Sequence, residues 1–238
     1  MKIAIVGATG MVGAPVSEIL GRRGHEVRPM SRSCASCRVD VTSGDGLARA
    51  LDGVDAVINA TNGPASGKAA RVLVDGTKRL LEATSAHHVC VSIVGIGELA
   101  PFSSYYRVKV AQEEAVRESG RPFTIVRATQ LHDFVGGPLR RVAKAGLQLC
   151  SRALLQPVDG SEVAAVIASV AEGAPRQGTV TVAGPEILTI TEMRLRGGFP
   201  VPLPMPPGLG RSLRAGAATV ADPDVRGRIA YREWLTKN

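Results

Sequence analysis

Two side chains that can exchange protons stand four positions apart in the stretch YYRVK: Tyr105 and Lys109. Residues four apart on a helix lie on one face, so the spacing predicts that the phenol and the ammonium are neighbours. A tyrosine with its ordinary pKa of about 10 is a poor acid or base at neutral pH, and a nearby ammonium lowers that pKa. The pair could therefore transfer a proton to or from a substrate. The same spacing also occurs on solvent-facing helices, so the surrounding elements must decide between the two interpretations.

The elements around this pair are predicted to alternate between strands and helices. Branched apolar runs predict strands at residues 2–6, 26–30, 56–60, 89–94 and 123–127. Amphipathic spacing predicts helices at residues 11–23, 46–51, 67–85, 105–119 and 161–171. This alternation is typical of a parallel sheet covered by helices on both faces, so the predicted fold class is α/β.

The stretch VGATGMVG follows the first predicted strand and opens the first predicted helix. Gly7, Gly10 and Gly13 form a G-x-x-G-x-x-G pattern, with Thr9 and Met11 between them. Missing side chains at such a turn let a diphosphate approach the backbone and the N-terminus of the helix. Tight strand-to-helix turns also need glycine, but the position in the first strand and helix favours a dinucleotide site.

Three stretches of the sequence resemble one known family: VGATGMVG, DVTSGDGLARALDGVDAVINA and YYRVKVAQEEAVRESGRPFTIVRATQLHDF. Together they resemble the short-chain dehydrogenase/reductase superfamily, in its atypical NmrA-like NAD(P)H-binding branch, over roughly residues 1 to 190. The resemblance implies a Rossmann-like doubly wound parallel sheet and an NAD(P)H-dependent oxidoreductase. It implies much less about the substrate.

The resemblance also implies roles for the residues that could do chemistry. Tyr105 would donate a proton to a carbonyl, while Lys109 would lower the tyrosine pKa and hold the nicotinamide ribose. Ser92, on the strand VCVSIVG, would steady the substrate oxygen. Four residues after Tyr106 the chain has Val110 in place of a lysine, so we expect Tyr106 to pack or to line the pocket.

Residues after the predicted strands are further candidates for cofactor contacts. The resemblance places Ala60, Thr61 and Asn62 against the ribose and diphosphate, although Asn62 could equally be a turn residue. It also matches Asp40 and Val41 to the position after the family's third strand, where an acidic residue contacts the adenine edge. A helix cap or a turn is the alternative for Asp40.

The segment after the second strand bears on the choice between NADP and NAD. An NAD site usually carries an acidic residue about 20 positions beyond the glycines, whereas this chain reads RPMSRS. The guanidinium of Arg32 matches the geometry of a 2′-phosphate, so NADP is the expected cofactor. A solvent-exposed loop arginine is the alternative, and Arg28, inside the strand, is a weaker candidate.

Substrate contacts are expected just beyond the strand at residues 123–127, in RATQLHDF. Gln130, His132 and Phe134 are the candidates. His132 could be a base or a substrate hydrogen-bonder, or a structural residue. Asp133 beside it could pair with it, although adjacent side chains on a helix do not face each other.

The length of 238 residues and the hydrophobic content of 45% favour one domain with a small elaboration. We expect a single NAD(P)-binding domain over residues 1–238, in which about residues 185–238 form a substrate-side lid or extension. The Pro- and Gly-rich stretch at residues 197–210 excludes a long regular element. Its apolar side chains could cover an organic substrate or an interface between copies, so a homo-oligomer is one expectation.

Charge and composition limit the partners. The net charge of +8 is spread along the chain and aromatic residues make up 3%, so we expect no nucleic acid and instead an anionic ligand. No apolar run approaches the roughly 20 residues of a membrane span, so we expect a cytoplasmic protein. Cys34 and Cys37 form a CxxC without a second pair, so no metal is expected. His87 and His88 precede a strand and are expected at the surface.

The sequence as a whole predicts an NADP-dependent reductase of a carbonyl or quinone-type group on a small organic molecule. Some NmrA-like members have lost the tyrosine or the lysine and only sense the dinucleotide. This chain keeps Tyr105 and Lys109, which favours an enzyme. A non-catalytic dinucleotide sensor and a redox-neutral isomerase or dehydratase are the alternatives.

Overall fold

The computed structural model describes residues 1–31, 38–63, 68–195 and 197–237. Arg32, Cys34 and Cys37 lie outside the described residues. Within these ranges, none of the helices combines the length and the apolar character that a membrane crossing requires. The same ranges hold no group of three His, Cys, Asp or Glu side chains placed to bind a metal ion.

A seven-stranded sheet forms the centre of the fold, and all its strand pairs are parallel. The strands are β1 (Lys2–Val6), β2 (Glu26–Met30), β3 (Ala56–Asn59), β4 (His87–Ile93), β5 (Phe123–Ala128), β6 (Leu147–Cys150), β7 (Leu154–Leu155), β8 (Gly178–Ala183), β9 (Leu188–Thr189), β10 (Phe199–Pro202) and β11 (Val225–Arg226). The central order is β11-β8-β5-β4-β3-β1-β2, while β6 pairs with β10 and β7 with β9. The order reverses between β1 and β3, the point at which such sheets bind ligands beyond the carboxyl ends of their strands.

Helices cover both faces of this sheet. They are α1 (Gly13–Arg22), α2 (Leu47–Ala50), α3 (Lys68–Ala70), α4 (Gly76–Ala83), α5 (Ile96–Leu99), α6 (Ser104–Glu118), α7 (His132–Lys144), α8 (Gly160–Glu172), α9 (Ile190–Met193), α10 (Pro207–Arg214) and α11 (Tyr231–Lys237). A π-helical turn, Arg71–Asp75, joins α3 to α4. Helices α1 and α8 pack on one face, and α4 and α6 pack on the other. The α/β fold with a doubly wound, Rossmann-like sheet is confirmed.

Strand β1 shows why the sheet is covered on both sides. Ile3 and Ile5 are fully buried against α1 and α8, while Ala4 and Val6 are buried against the opposite layer. A strand buried on both faces is a continuous apolar run, as in KIAIV, and each buried isoleucine contributes about 1.5–3 kcal/mol. The predicted strands and helices agree with the structure to within two residues at each end.

The expectation that His87 and His88 lie at the surface is wrong. Both belong to β4, which begins two residues earlier than predicted, and they are 6% and 2% exposed. His87 Nε2 lies 2.9 Å from Thr124 Oγ1 on β5. Burial, with a smaller contribution from His87, lowers the pKa of His88 to about 4. Polar residues ahead of the apolar run concealed the start of the strand.

The chain around Asp40 differs from the family pattern. The strand expected before Asp40 is, in the described residues, a single parallel bridge between Ser31 and Arg38. The next strand along the chain, β3, is therefore the third strand of this sheet.

Part of the C-terminal segment after residue 184 joins the central sheet, and the rest packs at the carboxyl edge of the sheet. Strand β11 extends the central sheet beside β8, and α11 packs against α7. Helix α10 packs against α5, with Leu209 and Leu213 in contact with a cluster around Leu99. Within residues 197–210 the structure has the four-residue β10 and the first turn of α10.

Candidate active site

The glycine turn between β1 and α1 touches the protein's own backbone at two points. Gly7 has a φ of +81°, and a Cβ there would lie 2.7 Å from the carbonyl oxygen of Ala60. A Cβ at Gly13 would lie 2.2 Å from the carbonyl oxygen of Gly7. Both distances are shorter than real Cβ contacts, so the way β1, β3 and α1 meet requires these two glycines.

The middle of the turn is open to solvent. A Cβ at Gly10 would lie 3.2 Å from Gly7 O, the mildest of the three approaches, and Thr9, Gly10 and Met11 are exposed. The backbone N–H groups of Met11 and Val12 donate to no acceptor in the described part of the chain. Helix α1 begins without a side-chain cap and without an acidic residue in its first turn. Unpaired N–H groups at the positive end of a helix fit a diphosphate.

The segment leaving β3 runs alongside this turn. The backbone N–H of Ala60 donates to Val6 O at 3.0 Å, which keeps the segment beside β1. The Thr61 hydroxyl donates to Asn59 Oδ1 at 2.6 Å. Ala60 and Thr61 therefore lie at the carboxyl edge of the sheet next to the glycine turn, as the resemblance implies.

Asn62 connects this segment to α6. Its Oδ1 accepts a hydrogen bond from Tyr105 Oη at 2.9 Å and one from the backbone N–H of Gly63 at 2.9 Å. The second bond agrees with the turn interpretation. The first brings the tyrosine hydroxyl to the edge of the sheet that carries the glycine turn.

Tyr105 and Lys109 lie on α6, and the tyrosine is partly buried. Burial raises the pKa of Tyr105, the neighbouring Tyr106 raises it further, and the bond to Asn62 opposes them. The two tyrosine rings meet edge to face, with centroids 5.7 Å apart. The expected lowering of the Tyr105 pKa by Lys109 is absent from this structure, because the ammonium is directed elsewhere.

Lys109 is 3% exposed, and its Nζ donates to Val91 O at 2.8 Å and to Gln112 Oε1 at 2.6 Å. An ammonium has three protons, and the third has no acceptor among the residues described. Burial lowers the pKa of Lys109, while Cys90 and Glu113 act in the opposite direction. A buried ammonium with a spare proton fits the ribose hydroxyl that the resemblance assigns to it.

Ser92 faces Glu113 on α6, and it shares no hydrogen-bond partner with Tyr105 among the described residues. The Ser92 side chain is 2% exposed and close to Glu113, although it makes no hydrogen bond of normal geometry in the described residues. Glu113 follows Tyr105 by two helical turns, about 12 Å along the axis. Burial alone would raise the pKa of Glu113, but the hydrogen bonds from Arg127 and Arg117, together with the nearby Ser92 hydroxyl, outweigh it and lower the pKa.

The residues expected around the adenosine are only partly described. Arg32 lies outside the described residues. Asp40 Oδ1 accepts hydrogen bonds from the backbone N–H and the hydroxyl of Thr42, at 2.8 and 2.6 Å, which agrees with the turn interpretation. The Val41 side chain is buried in the core, where a Cβ at Gly76 would lie 2.8 Å from it. Val41 can therefore reach a cofactor only through its backbone.

Two of the candidate substrate residues are engaged in packing. Gln130 Nε2 donates to Ala218 O at 2.9 Å, and its Oε1 accepts from the backbone N–H of Gln156 at 3.0 Å. Both ends of the Gln130 amide are therefore hydrogen-bonded to backbone groups. Tyr106 packs against a cluster that includes Ala218. Phe134 is 69% exposed on α7 and stays available to a ligand.

His132 is a structural residue. It is fully buried, with its ring centroid 5.6 Å from those of both Tyr231 and Trp234 on α11. Burial lowers the pKa of His132, and Asp159, whose carboxylate lies 3.7 Å away, opposes this. No water-facing surface is left for a substrate, so the expectation of a substrate contact is wrong.

Sequence reasoning missed a group of buried polar side chains beneath the site. They are the buried Asn59, Thr77, Gln112 and Glu113, together with Arg127, which is partly exposed. Gln112 and Glu113 follow Lys109 by three and four residues, so the spacing rule that paired Tyr105 with Lys109 could have found them. Nothing in the sequence marks Asn59 and Thr77, because their contacts cross between elements.

A family model described as NAD(P)H-binding matches residues 7–173. The chain belongs to this NAD(P)H-binding family. It is 32% identical over 202 residues to a (4-alkanoyl-5-oxo-2,5-dihydrofuran-3-yl)methyl phosphate reductase of Streptomyces griseus, covering 80% of this chain and 70% of that protein. The family, together with the reductase relative, identifies the chain as an NAD(P)-dependent oxidoreductase.

Solved structures share the fold at low sequence identity. A nucleoside-diphosphate-sugar epimerase from Staphylococcus aureus aligns with a TM-score of 0.80 at 13% identity, covering 99% of both chains. An NADPH-dependent quinone oxidoreductase from Escherichia coli aligns with a TM-score of 0.76 at 16% identity, covering 99% of this chain and 98% of that one. These likenesses show that the chain shares its fold with these enzymes.

Proposed function

We propose that this oxidoreductase uses NADPH to reduce a carbonyl or a conjugated carbonyl, of the quinone or unsaturated lactone type, on a small organic substrate. One segment carries the proposal, because it touches both halves of the site. Ala60 lies against Gly7 of the glycine turn, and Asn62 accepts the hydrogen bond of Tyr105. A dinucleotide on the turn would thus have its far end near a hydroxyl that can donate a proton.

The relatives support the choice of substrate class. The name of the Streptomyces griseus reductase describes an unsaturated lactone ring with an alkanoyl group and a phosphate arm. The Escherichia coli structure is that of an NADPH-dependent quinone oxidoreductase. Both substrates are conjugated carbonyl compounds. The net charge of +8 also suits an anionic substrate or cofactor.

The proton is supplied by Tyr105 in this proposal. When bound, the reduced nicotinamide supplies a hydride to carbon, and the substrate oxygen takes a proton from Tyr105 Oη, so a carbonyl becomes an alcohol or an enol. The phenol of Tyr105 is protonated at neutral pH, which is the form that a proton donor needs. In this proposal the third N–H of the Lys109 ammonium donates a hydrogen bond to a ribose hydroxyl of the cofactor. Ser92 has no part in this step.

The remaining contacts follow the elements that surround the site. We assign the diphosphate to the turn, through Gly7, Thr9, Gly10, Met11 and Gly13, and the ribose to Ala60 and Thr61. Arg32 would hold the 2′-phosphate, with Asp40 and the Val41 backbone at the adenine. Phe134 is the candidate for substrate contact that the packing leaves exposed, and Tyr106 would line the pocket only with the part of its ring that is not packed. We assign about residues 185–238 to a substrate-side extension of a single domain. In the alternative, this segment forms an interface between copies of the chain in a homo-oligomer.

The test is NADPH oxidation, followed at 340 nm, with a panel of a naphthoquinone, an acylated unsaturated lactone, its phosphate ester and a simple ketone. We expect turnover with at least one conjugated carbonyl and a preference for NADPH over NADH. The Arg32→Ala variant should lose that preference, while Arg22→Ala, on the exposed surface of α1, should keep it. Tight binding without oxidation by any member would contradict a reductase and favour a dinucleotide sensor.

A further inference from the structure

A continuous chain of buried hydrogen bonds runs beneath the candidate active site. Lys109 Nζ donates to Gln112 Oε1 at 2.6 Å, and Gln112 Nε2 donates to Thr77 Oγ1 at 3.0 Å. Asn59 Nδ2 donates to the same hydroxyl at 2.9 Å. Asn59 Oδ1 in turn accepts from the Thr61 hydroxyl. Asn59, Thr77 and Gln112 are each 0% exposed, so water does not share these bonds.

The hydroxyl of Thr77 determines which group donates and which accepts in the bonds of this chain. The Thr77 hydroxyl donates to the carbonyl oxygen of Leu73, in the π-helical turn, at 2.5 Å. A carbonyl can only accept, and a hydroxyl has one proton, so Thr77 can only accept from its two amide neighbours. Gln112 and Asn59 must therefore present their NH2 groups to Thr77. Their oxygens are then turned towards Lys109 and Thr61.

This arrangement ties both halves of the site to one hydroxyl. At one end it fixes the Lys109 ammonium, whose spare proton has no acceptor among the described residues. At the other end it fixes Thr61, which is followed by Asn62, the partner of Tyr105. We propose that Thr77 and Gln112 are positioning residues that set Lys109 and the segment leaving β3 for the nicotinamide half of the cofactor. This inference rests on the proposed function.

Other titratable groups near Lys109 are not part of this hydrogen-bond chain. Cys90 on β4 and Glu113 on α6 both act on the ammonium, and Glu113 is held by Arg127 and Arg117. Among the described residues, the hydrogen bonds of the Thr77 hydroxyl involve Asn59, Gln112 and Leu73 and neither of these two groups. Changes at Thr77 therefore test the hydrogen-bond chain without removing these charges.

The first test uses two substitutions at Thr77 that remove different parts of the side chain. Thr77→Val keeps the shape and loses the hydroxyl, whereas Thr77→Ser keeps the hydroxyl and loses the methyl group. We expect the NADPH dissociation constant, from cofactor fluorescence, to rise about 10-fold for Thr77→Val and to stay within about 2-fold for Thr77→Ser. The reverse order would show that Thr77 acts by packing and would overturn the proposal. Unchanged affinity in both variants would overturn it as well.

Urea unfolding without cofactor separates positioning from stability. A purely structural Thr77 would make Thr77→Val less stable but leave the affinity of the folded protein unchanged, and that result would contradict the proposal. If Thr77→Val does not fold, Gln112 provides the second test. Gln112→Met offers Lys109 no oxygen and Thr77 no N–H, so we expect it to weaken NADPH binding by about 10-fold. Gln112→Glu keeps an oxygen for Lys109 and loses only the N–H that Thr77 accepts, so we expect a smaller loss of affinity. Equal affinities of these two variants would overturn the role of Gln112.

The NADPH dissociation constants of these variants can be measured without knowing the substrate. Wild-type protein that binds NADPH but oxidises it with no carbonyl would overturn the proposed reduction, and the affinities of the variants would still test the positioning residues. Wild-type protein that binds neither NADPH nor NADH would overturn both. Where turnover is found, Thr77→Val should lower kcat about 10-fold to 100-fold, because a displaced ammonium no longer orients the reacting groups.

Discussion

The glycine turn at residues 7–13 and the first turn of α7 both carry residues expected to contact ligands, yet they differ in what surrounds them. The exposed middle of the glycine turn has backbone N–H groups without acceptors in the described residues. At α7, His132 is enclosed by Tyr231 and Trp234. A residue near a strand's carboxyl end is available to a ligand only when no distant part of the chain has covered it.

The largest effect is expected at the glycine turn. Gly13→Ala would place a Cβ 2.2 Å from Gly7 O, so the turn must shift and the N–H groups that face the diphosphate move with it. We expect the NADPH dissociation constant to rise about 100-fold or more. Gly21→Ala, on the same helix with nothing within 4 Å of its Cβ, is the matched control and should bind normally, with about 0.5–1 kcal/mol more stability. Equal NADPH dissociation constants for Gly13→Ala and Gly21→Ala would contradict the role of the glycine turn in cofactor binding.

The second effect is expected in the aromatic cluster. Trp234 is 5% exposed, packs on Gly136, and lies under the guanidinium of Arg140, whose Cζ is 4.8 Å from the ring centroid. Trp234→Ala should lower the free energy of unfolding by about 3–5 kcal/mol, measured in urea. The folded variant should bind NADPH with wild-type affinity, because the cluster has no part in the glycine turn. A large loss of NADPH affinity in folded protein would show that the two regions are coupled.

The third effect is a dependence of stability on pH that comes from a buried histidine. The pKa of His88 is lowered to about 4, so the unfolded chain binds more protons between about pH 6.5 and pH 4 and stability falls as the pH drops through that window. From pH 7 to pH 5 the loss should be about 2 kcal/mol. His88→Leu should remove this part of the pH dependence, as judged from urea unfolding at both pH values. An unchanged slope would mean that His88 does not titrate as described.

The smallest effect is expected at Phe134, the exposed counterpart of His132 on α7. Phe134→Ala should change the free energy of unfolding by less than about 0.5 kcal/mol, because the side chain is 69% exposed. If Phe134 contacts substrate, the KM for the best carbonyl should rise several-fold while the NADPH affinity stays the same. An unchanged KM would remove Phe134 from the pocket.

The sequence predicts some of these regions better than others, for a physical reason. Gly7, Gly13 and the pair Tyr105 and Lys109 follow local rules of turns and helix spacing, so their placement could be predicted. The packing of His132 depends on residues about 100 positions further along the chain, and no local pattern carries that information. Ser92 was placed on the correct strand, but which neighbour its side chain meets is decided by α6.

The measurement that tests the central claim most directly compares Tyr105→Phe with Tyr106→Phe. Each variant is saturated with NADPH, and its oxidation by the best conjugated carbonyl is followed. We predict that Tyr105→Phe binds NADPH normally but reduces the substrate at least about 100-fold more slowly, because the proton donor is gone, while Tyr106→Phe stays within a few-fold of wild type. Equal rates in the two variants would contradict a reductase in which Tyr105 supplies the proton.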